Sequence, residues 1–195
     1  RLLRQRIEEK HELFKTIDTL RVVYEEMTQH EKELELLARE DIHKIYSAEF
    51  VLDRKATLYE YLNRIPEALL CHEALYQLQP DEKRRARMLE IVTWVSDLEL
   101  KRSFYDRYAR PGSAESLIQA ELHYQSRHFD RTRSLLAGLP PELRSMPKVL
   151  ELSLYLAHES GDLNSIRTAL DRLLSQNNIS PEGRLNFLID RAQIL

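Results

Sequence analysis

Apolar residues recur every three or four positions along almost the whole chain. Leu13, Ile17, Leu20, Val23 or Tyr24, and Met27 form one such run, and comparable runs follow to the end. That spacing puts apolar groups on one side of an α-helix. No stretch alternates with the period of two that a half-buried strand requires. The pattern predicts helices near 2–28 (with a break around Lys10 to Thr16), 31–45, 48–63, 66–78, 82–96, 98–109, 113–126, 129–138, 147–159, 163–176 and 181–194. Ser113 and Ser180 suit N-caps, and Pro66 and Pro181 suit first helical turns, where a missing N–H costs nothing. Gly138 with Pro140-Pro141 predicts one irregular connection. The fold class expected is all-α.

The breakers are themselves periodic: Pro80, Pro111, Pro147 and Pro181 stand 31, 36 and 34 residues apart. A period near 34 residues is the mark of helical-hairpin repeats. Within residues 49–82, Leu52, Ala56, Tyr59, Ala68 and Pro80 fall at five positions of the pattern W-x2-L-G-x2-Y…A-x3-F…P. Ala56 and Ala68 are small residues that let two antiparallel helices approach, with Leu52 and Tyr59 filling the space on either side. About one period on come Leu100, Thr132 and Ile166, each with an apolar residue four later. Ala120 precedes Thr132 by 12 residues, as Ala56 precedes Ala68.

On these residues the chain resembles the tetratricopeptide-repeat (TPR) family over nearly its whole length. The match is best at 49–82 and weaker at 113–180. Residues 81–112 depart from it, since Met88 and Leu100 stand where the small pair belongs; Val22 and Leu34 replace that pair in 15–48. The resemblance implies an α-solenoid of about five TPR-like hairpins wound into a right-handed superhelix. Residues 1–195 would be a single array with approximate repeats 15–48, 49–82, 83–112, 113–146 and 147–180, plus partial terminal helices. The length divides into a non-integral number of units, so the chain reads as part of a longer stack, with self-association expected through its cut ends.

The family commonly binds proteins along a concave face lined by the first helix of each hairpin. Carried onto this sequence, the positions facing that groove include Asp53, Thr57, Glu60 and Tyr61, then Arg85. They continue with Glu121, Tyr124 and Gln125, then Lys148, Glu151, Tyr155, His158 and Glu159. Acidic groups dominate there, so the basic clamp that holds acidic C-terminal tails in some relatives is not expected. A basic or neutral protein partner is.

Charge and composition narrow the function further. The net charge is −3 with 31% charged residues, and only residues 81–133 carry a positive balance, of two charges. No basic field points to nucleic acid or to an anionic membrane. The run Lys83-Arg84-Arg85-Ala86-Arg87 lacks an aromatic stacking platform and reads as a solvated helix face. Trp94, in an apolar stretch, reads as core. No apolar run approaches membrane-span length.

Catalytic signatures are absent from the sequence. The single cysteine, Cys71, permits neither an internal disulfide nor a cysteine-based metal site. His11-Glu12, His72-Glu73 and His158-Glu159 each lack the second histidine of a zinc-protease motif. There is no phosphate loop and no nucleophile elbow. Neither an enzyme nor a cofactor is expected.

Arginine outnumbers lysine 21 to 8, as in proteins from GC-rich bacterial genomes. The array also resembles the periplasmic TPR array of bacterial exopolysaccharide (Pel-type) export proteins. That resemblance implies a periplasmic location and a polysaccharide-modifying enzyme as partner, where other TPR scaffolds would be cytoplasmic. The alternative reading is a regulatory or substrate-binding helical domain of a larger enzyme or polysaccharide machine.

Overall fold

The structure, a computed structural model, describes residues 2–176 and 180–194, with side chains described for 11–176 and 180–192. Residues 177–179 of the last expected repeat lie outside the described residues. Among the described residues there are twelve α-helices, one 3-10 turn and no strand. The chain divides into two compact units, Arg1–Ser96 and Asp97–Leu195. The boundary falls inside the segment where Met88 and Leu100 replace the small pair.

The first unit holds α1 (Leu2–Glu26), α2 (His30–Leu37), α3 (Ala48–Tyr61), α4 (Ile65–Leu78) and α5 (Glu82–Val92). The second holds α6 (Leu98–Tyr108), α7 (Ala114–Gln125), α8 (Phe129–Ala137), α9 (Pro141–Arg144), α10 (Pro147–Ser160), α11 (Leu163–Leu174) and α12 (Pro181–Ile194). Short connections make α1–α2, α3–α4, α7–α8 and α10–α11 hairpins of antiparallel neighbours. In the first unit α4 also packs on α5; in the second α6 packs on α7 and α11 on α12. Each unit is thus an all-α stack of helical hairpins, the building plan of an α-solenoid.

The repeat is most regular in its turns. Thr28, Asn63, Arg127 and Gly161 all take positive φ, at 53°, 56°, 60° and 66°. Each sits between the two helices of a hairpin. The next amide reaches five residues back in every case: Gln29 N–H to Tyr24 O (2.8 Å), Arg64 to Tyr59 (2.8 Å), His128 to His123 (2.8 Å) and Asp162 to Ala157 (3.2 Å). A second bond closes three residues back from the positive-φ residue, as in Asn63 N–H to Glu60 O at 3.0 Å. These are Schellman motifs, which satisfy the last carbonyls of the first helix and fix its exit direction. Segment 93–97, between α5 and α6, contains no positive-φ residue. The unit boundary lies there.

Helix starts follow side-chain chemistry. Ser47 accepts from Phe50 N–H at 3.2 Å, Asp81 from Arg84 N–H at 2.8 Å and Asp97 from Glu99 N–H at 2.9 Å. Ser113 accepts from Glu115 N–H at 3.2 Å and Asp162 from Asn164 N–H at 3.1 Å. Each satisfies one amide that the first turn leaves without a helical partner. Gly183 lies in the first turn of α12, its amide donating to Ser180 Oγ at 3.1 Å.

Three local expectations are corrected. Helix α1 runs unbroken through Lys10 to Thr16, and the Thr16 hydroxyl donates to Glu12 O at 2.9 Å, an outlet within the helix for a residue that otherwise favours its end. Helix α2 stops at Leu37, well short of residue 45. The chain then tightens into a 3-10 turn over Ile42–Lys44, which places Ile42 fully inside the core. Residues Pro140-Pro141 lead into the single-turn helix α9, with Pro141 as its first residue.

The core of the first unit gathers Ile17, Leu34, Leu37, Ile42, Val51 and Leu58. In the second unit Leu117, Ala120, Leu136, Leu139, Val149 and Leu152 form one cluster, and Leu150, Leu154, Ile166, Leu170 and Leu173 another. Ala56, Ala68, Ala120 and Thr132, the small residues at matching places in two hairpins, are all fully buried. Ala68→Leu should therefore force α3 and α4 apart and cost about 1–3 kcal/mol by overpacking. Urea unfolding followed by circular dichroism reads this directly; an unchanged midpoint would mean that Ala68 is not at the close contact.

Candidate functional site

Helices α7 and α10, the first helices of two hairpins in the second unit, form an open cleft. On α7, Glu121, Tyr124 and Gln125 share one face through their three- and four-residue spacing. On α10, Lys148, Glu151, Leu152 and Tyr155 do the same. All seven line a cavity of about 250 Å³. Its floor is Leu152, only 5% exposed and packed into the cluster of Leu117, Ala120, Val149 and Leu156. The core therefore fixes the register of α10 against α7, and the cleft is built on rigid elements.

Two contacts cross the cleft. Lys148 Nζ lies 2.7 Å from Glu121 Oε1. The rings of Tyr124 and Tyr155 stack with centroids 6.1 Å apart and planes at 30°. Tyr124 is braced from behind by Phe129 at 5.6 Å, while Tyr155 remains 48% exposed. Burial, and then the negative charge of Glu159, push the Tyr124 hydroxyl above the usual phenol range, with Arg127 acting against them. His158 and Glu159 follow on α10, both exposed.

The expected groove residues of the first unit have different surroundings. Asp53 is exposed, and the Thr57 hydroxyl donates to its carbonyl at 3.1 Å. Glu60 is already engaged on both oxygens, with His72 Nε2 at 2.7 Å and Arg87 Nη2 at 2.5 Å. Tyr61, 69% exposed, stacks on His30 with centroids 5.2 Å apart. Arg85 is buried and paired with Glu82 at 2.7 Å.

Two readings of this region are corrected. The basic run is not a solvated face: Arg84 pairs with Glu49 and with Asp81, Arg85 is buried, and Arg87 pairs with Glu60 and Glu90. Trp94 is not core but 53% exposed, with the Arg87 guanidinium 5.4 Å from its ring centroid. Trp94 stands four residues after the exposed Glu90 and seven after Arg87, so the register of α5 itself sets it on the side away from Met88, Leu89 and Val92.

Sequence reasoning missed two polar features of the second unit. Asp106 Oδ1 accepts from Gln119 Nε2 at 2.7 Å and lies 2.7 Å from Nε2 of the buried His123. Burial alone would raise the Asp106 carboxyl, but these hydrogen bonds and the charges of His123 and Arg131 hold it below the ordinary carboxylate range. The residues stand 13 and 17 positions apart, so no local motif announces them.

The second feature is a larger cavity of about 520 Å³ against a different face of α10, lined among others by Arg133, Arg144, Ser153, Ser165 and Arg172. The Arg144 guanidinium donates to Leu139 O at 2.5 Å and Ala137 O at 2.6 Å, closing the end of α8. Arg133 pairs with Asp130 at 2.8 Å. These two arginines thus serve neighbouring structure.

Among the described residues no cluster of three or more His, Cys, Asp or Glu side chains could hold a metal ion. No helix there is long and apolar enough to cross a membrane. Cys71 is buried, and that burial raises its thiol, which stays protonated at neutral pH.

No protein-family model and no curated protein matches the sequence. Among solved structures, the crystal structure of a thermophilic TPR protein from Thermus thermophilus is similar at 17% identity, covering 93% of this chain and 98% of that one, with a TM-score of 0.42.

Proposed function

We propose that the chain is a non-catalytic helical-repeat scaffold that holds a protein partner in the cleft between α7 and α10. The observation that carries this reading is the convergence of Glu121, Tyr124, Gln125, Lys148, Glu151 and Tyr155 on one cavity. Those six residues are among the ten that the repeat register assigns to the groove in these two hairpins. Tyrosines of this kind offer large, stiff contact area with a polar tip, and they are frequent centres of binding energy in interfaces. His158 would sit at the edge of that cleft, while Asp53, Thr57 and Tyr61 are candidate contacts of the first unit by themselves; Arg85, buried against Glu82, and Glu60, held by His72 and Arg87, drop out of the expected groove.

A narrower form of the proposal places the scaffold in bacterial exopolysaccharide secretion, in the periplasm, with a polysaccharide-modifying enzyme as partner. It rests on the sequence likeness alone.

Affinity capture with the wild-type chain and with Tyr124→Ala/Tyr155→Ala tests the general reading. Truncating a central aromatic should cost about 2 kcal/mol or more, roughly a thirtyfold loss of affinity. The partner should be recovered by the wild type and lost by the double variant, whose helical circular dichroism is unchanged. Equal recovery by both would remove the cleft from the account. Tyr61→Ala asks the same question of the first unit.

A further inference from the structure

We infer that the cleft between α7 and α10 is a receptor for an arginine side chain, so that the partner presents a basic segment. This rests on the scaffold reading above. At about 250 Å³ the cavity is smaller than the roughly 300–1,000 Å³ of ordinary small-molecule sites. It has room for one side chain rather than for a cofactor.

Charge selects the kind of side chain. Lys148 Nζ lies 2.7 Å from Glu121 Oε1, an ion pair in which that buried oxygen accepts no hydrogen bond, whereas Glu151 and Glu159 hold no ion pair among the described residues. Of the two carboxylates in its wall, the cleft presents one without an ion pair, Glu151, with Glu159 two turns further along α10. Lys148 is turned onto Glu121, and Arg127, outside the lining, acts on Tyr124; a single guanidinium paired to Glu151 is favourable there. An acidic residue would meet Glu151 and Glu159, with Lys148 already engaged by Glu121 and only Arg127 as a counter-charge.

The chain shows the same recognition in its own fold. In the first unit the Arg87 guanidinium is held by Glu60 at 2.5 Å and Glu90 at 2.9 Å, with Trp94 at 5.4 Å from its centre. Carboxylate at the edge and aromatic ring at the face is the arrangement a planar guanidinium satisfies best. In the second unit Glu151 and Tyr155, four residues apart on α10, offer the same two groups side by side. No arginine is among the residues lining that cavity. The exposed face of Tyr155 is the surface left for a guanidinium, because the Tyr124 and Tyr155 rings are too close to admit one between them.

A random dodecapeptide library selected on the immobilised full chain supplies the probe. Selected peptides are then synthesised with each arginine as arginine or as neutral citrulline, and their affinities are measured by fluorescence anisotropy for wild type, Glu151→Gln and Tyr155→Ala. The inference predicts a shared arginine, a loss of tenfold or more on citrulline replacement and on Glu151→Gln, and weaker binding at higher salt. Peptides that need Tyr155 but carry no arginine, or tolerate citrulline, overturn the arginine receptor and leave the scaffold reading standing. A selection that yields no peptide sensitive to Tyr155→Ala overturns both.

Discussion

Arg54→Ala should destabilise the first unit by about 3–5 kcal/mol, a large fraction of what holds an ordinary domain together. Glu33 on α2 is fully buried. Its two oxygens accept from Arg54 on α3, Nε at 2.6 Å and Nη2 at 2.9 Å, and Arg54 Nη1 also lies 3.1 Å from Glu25 on α1. One guanidinium thus ties three helices. Removing it leaves a carboxylate in the core with no counter-charge, and that desolvation, not the lost attraction, sets the size of the effect. The double variant Glu33→Leu/Arg54→Met, which removes both charges and keeps volume, should recover most of the loss. Urea unfolding of the three proteins gives the comparison; a single-variant cost below about 1 kcal/mol would mean that Glu33 reaches water.

Leu170→Ala should cost about 2–5 kcal/mol in the second unit. Leu170 is fully buried among Leu150, Leu154, Ile166 and Leu173, where α10 meets α11. Ala157 and Ala169 in the same cluster have no side-chain length with which to fill the space, so the site collapses poorly and the cost falls toward the upper end. Leu163, 61% exposed at the start of the same helix, is the control: Leu163→Ala should stay within about 0.5 kcal/mol. Hydrogen exchange should also quicken in α10 and α11 for the first variant and not for the second. Equal effects at the two positions would place the apolar stripe of α11 on the wrong side.

What the sequence made readable is what short-range physics determines. Ala56 and Ala68 are twelve residues apart at the close contact of one hairpin, and both are buried; Ala120 and Thr132 repeat them. The alignment of Tyr124 with Tyr155 followed from the same register, and their rings meet.

The turns were mostly hidden, although they are the most regular part of the fold. Gly161 takes the left-handed conformation at no steric cost and Asn63 tolerates it well, so either could be read as a helix end, but Thr28 and Arg127 do the same work. A β-branched or long side chain there goes against the local preference, and only the packing of each hairpin imposes it. Glu33 with Arg54, and Asp106 with His123, stayed invisible because their partners lie 21 and 17 positions away. Trp94 reads as core from its apolar neighbours in sequence, but its four-residue spacing from Glu90 puts it on the opposite side of α5 from Met88, Leu89 and Val92. The cavity near Arg144 has no sequence signature, since its lining is drawn from several helices with no common motif.

The central claim, that a partner sits between α7 and α10, is tested most directly by site-specific photo-cross-linking in the native cells. A benzophenone side chain replaces Gln125 at the cleft or, as control, Arg167 on the exposed face of α11. The account predicts one discrete heavier adduct on irradiation from position 125, lost when Tyr155→Ala is added, and none from position 167. Adducts of equal yield from both positions, or from 167 alone, would contradict it.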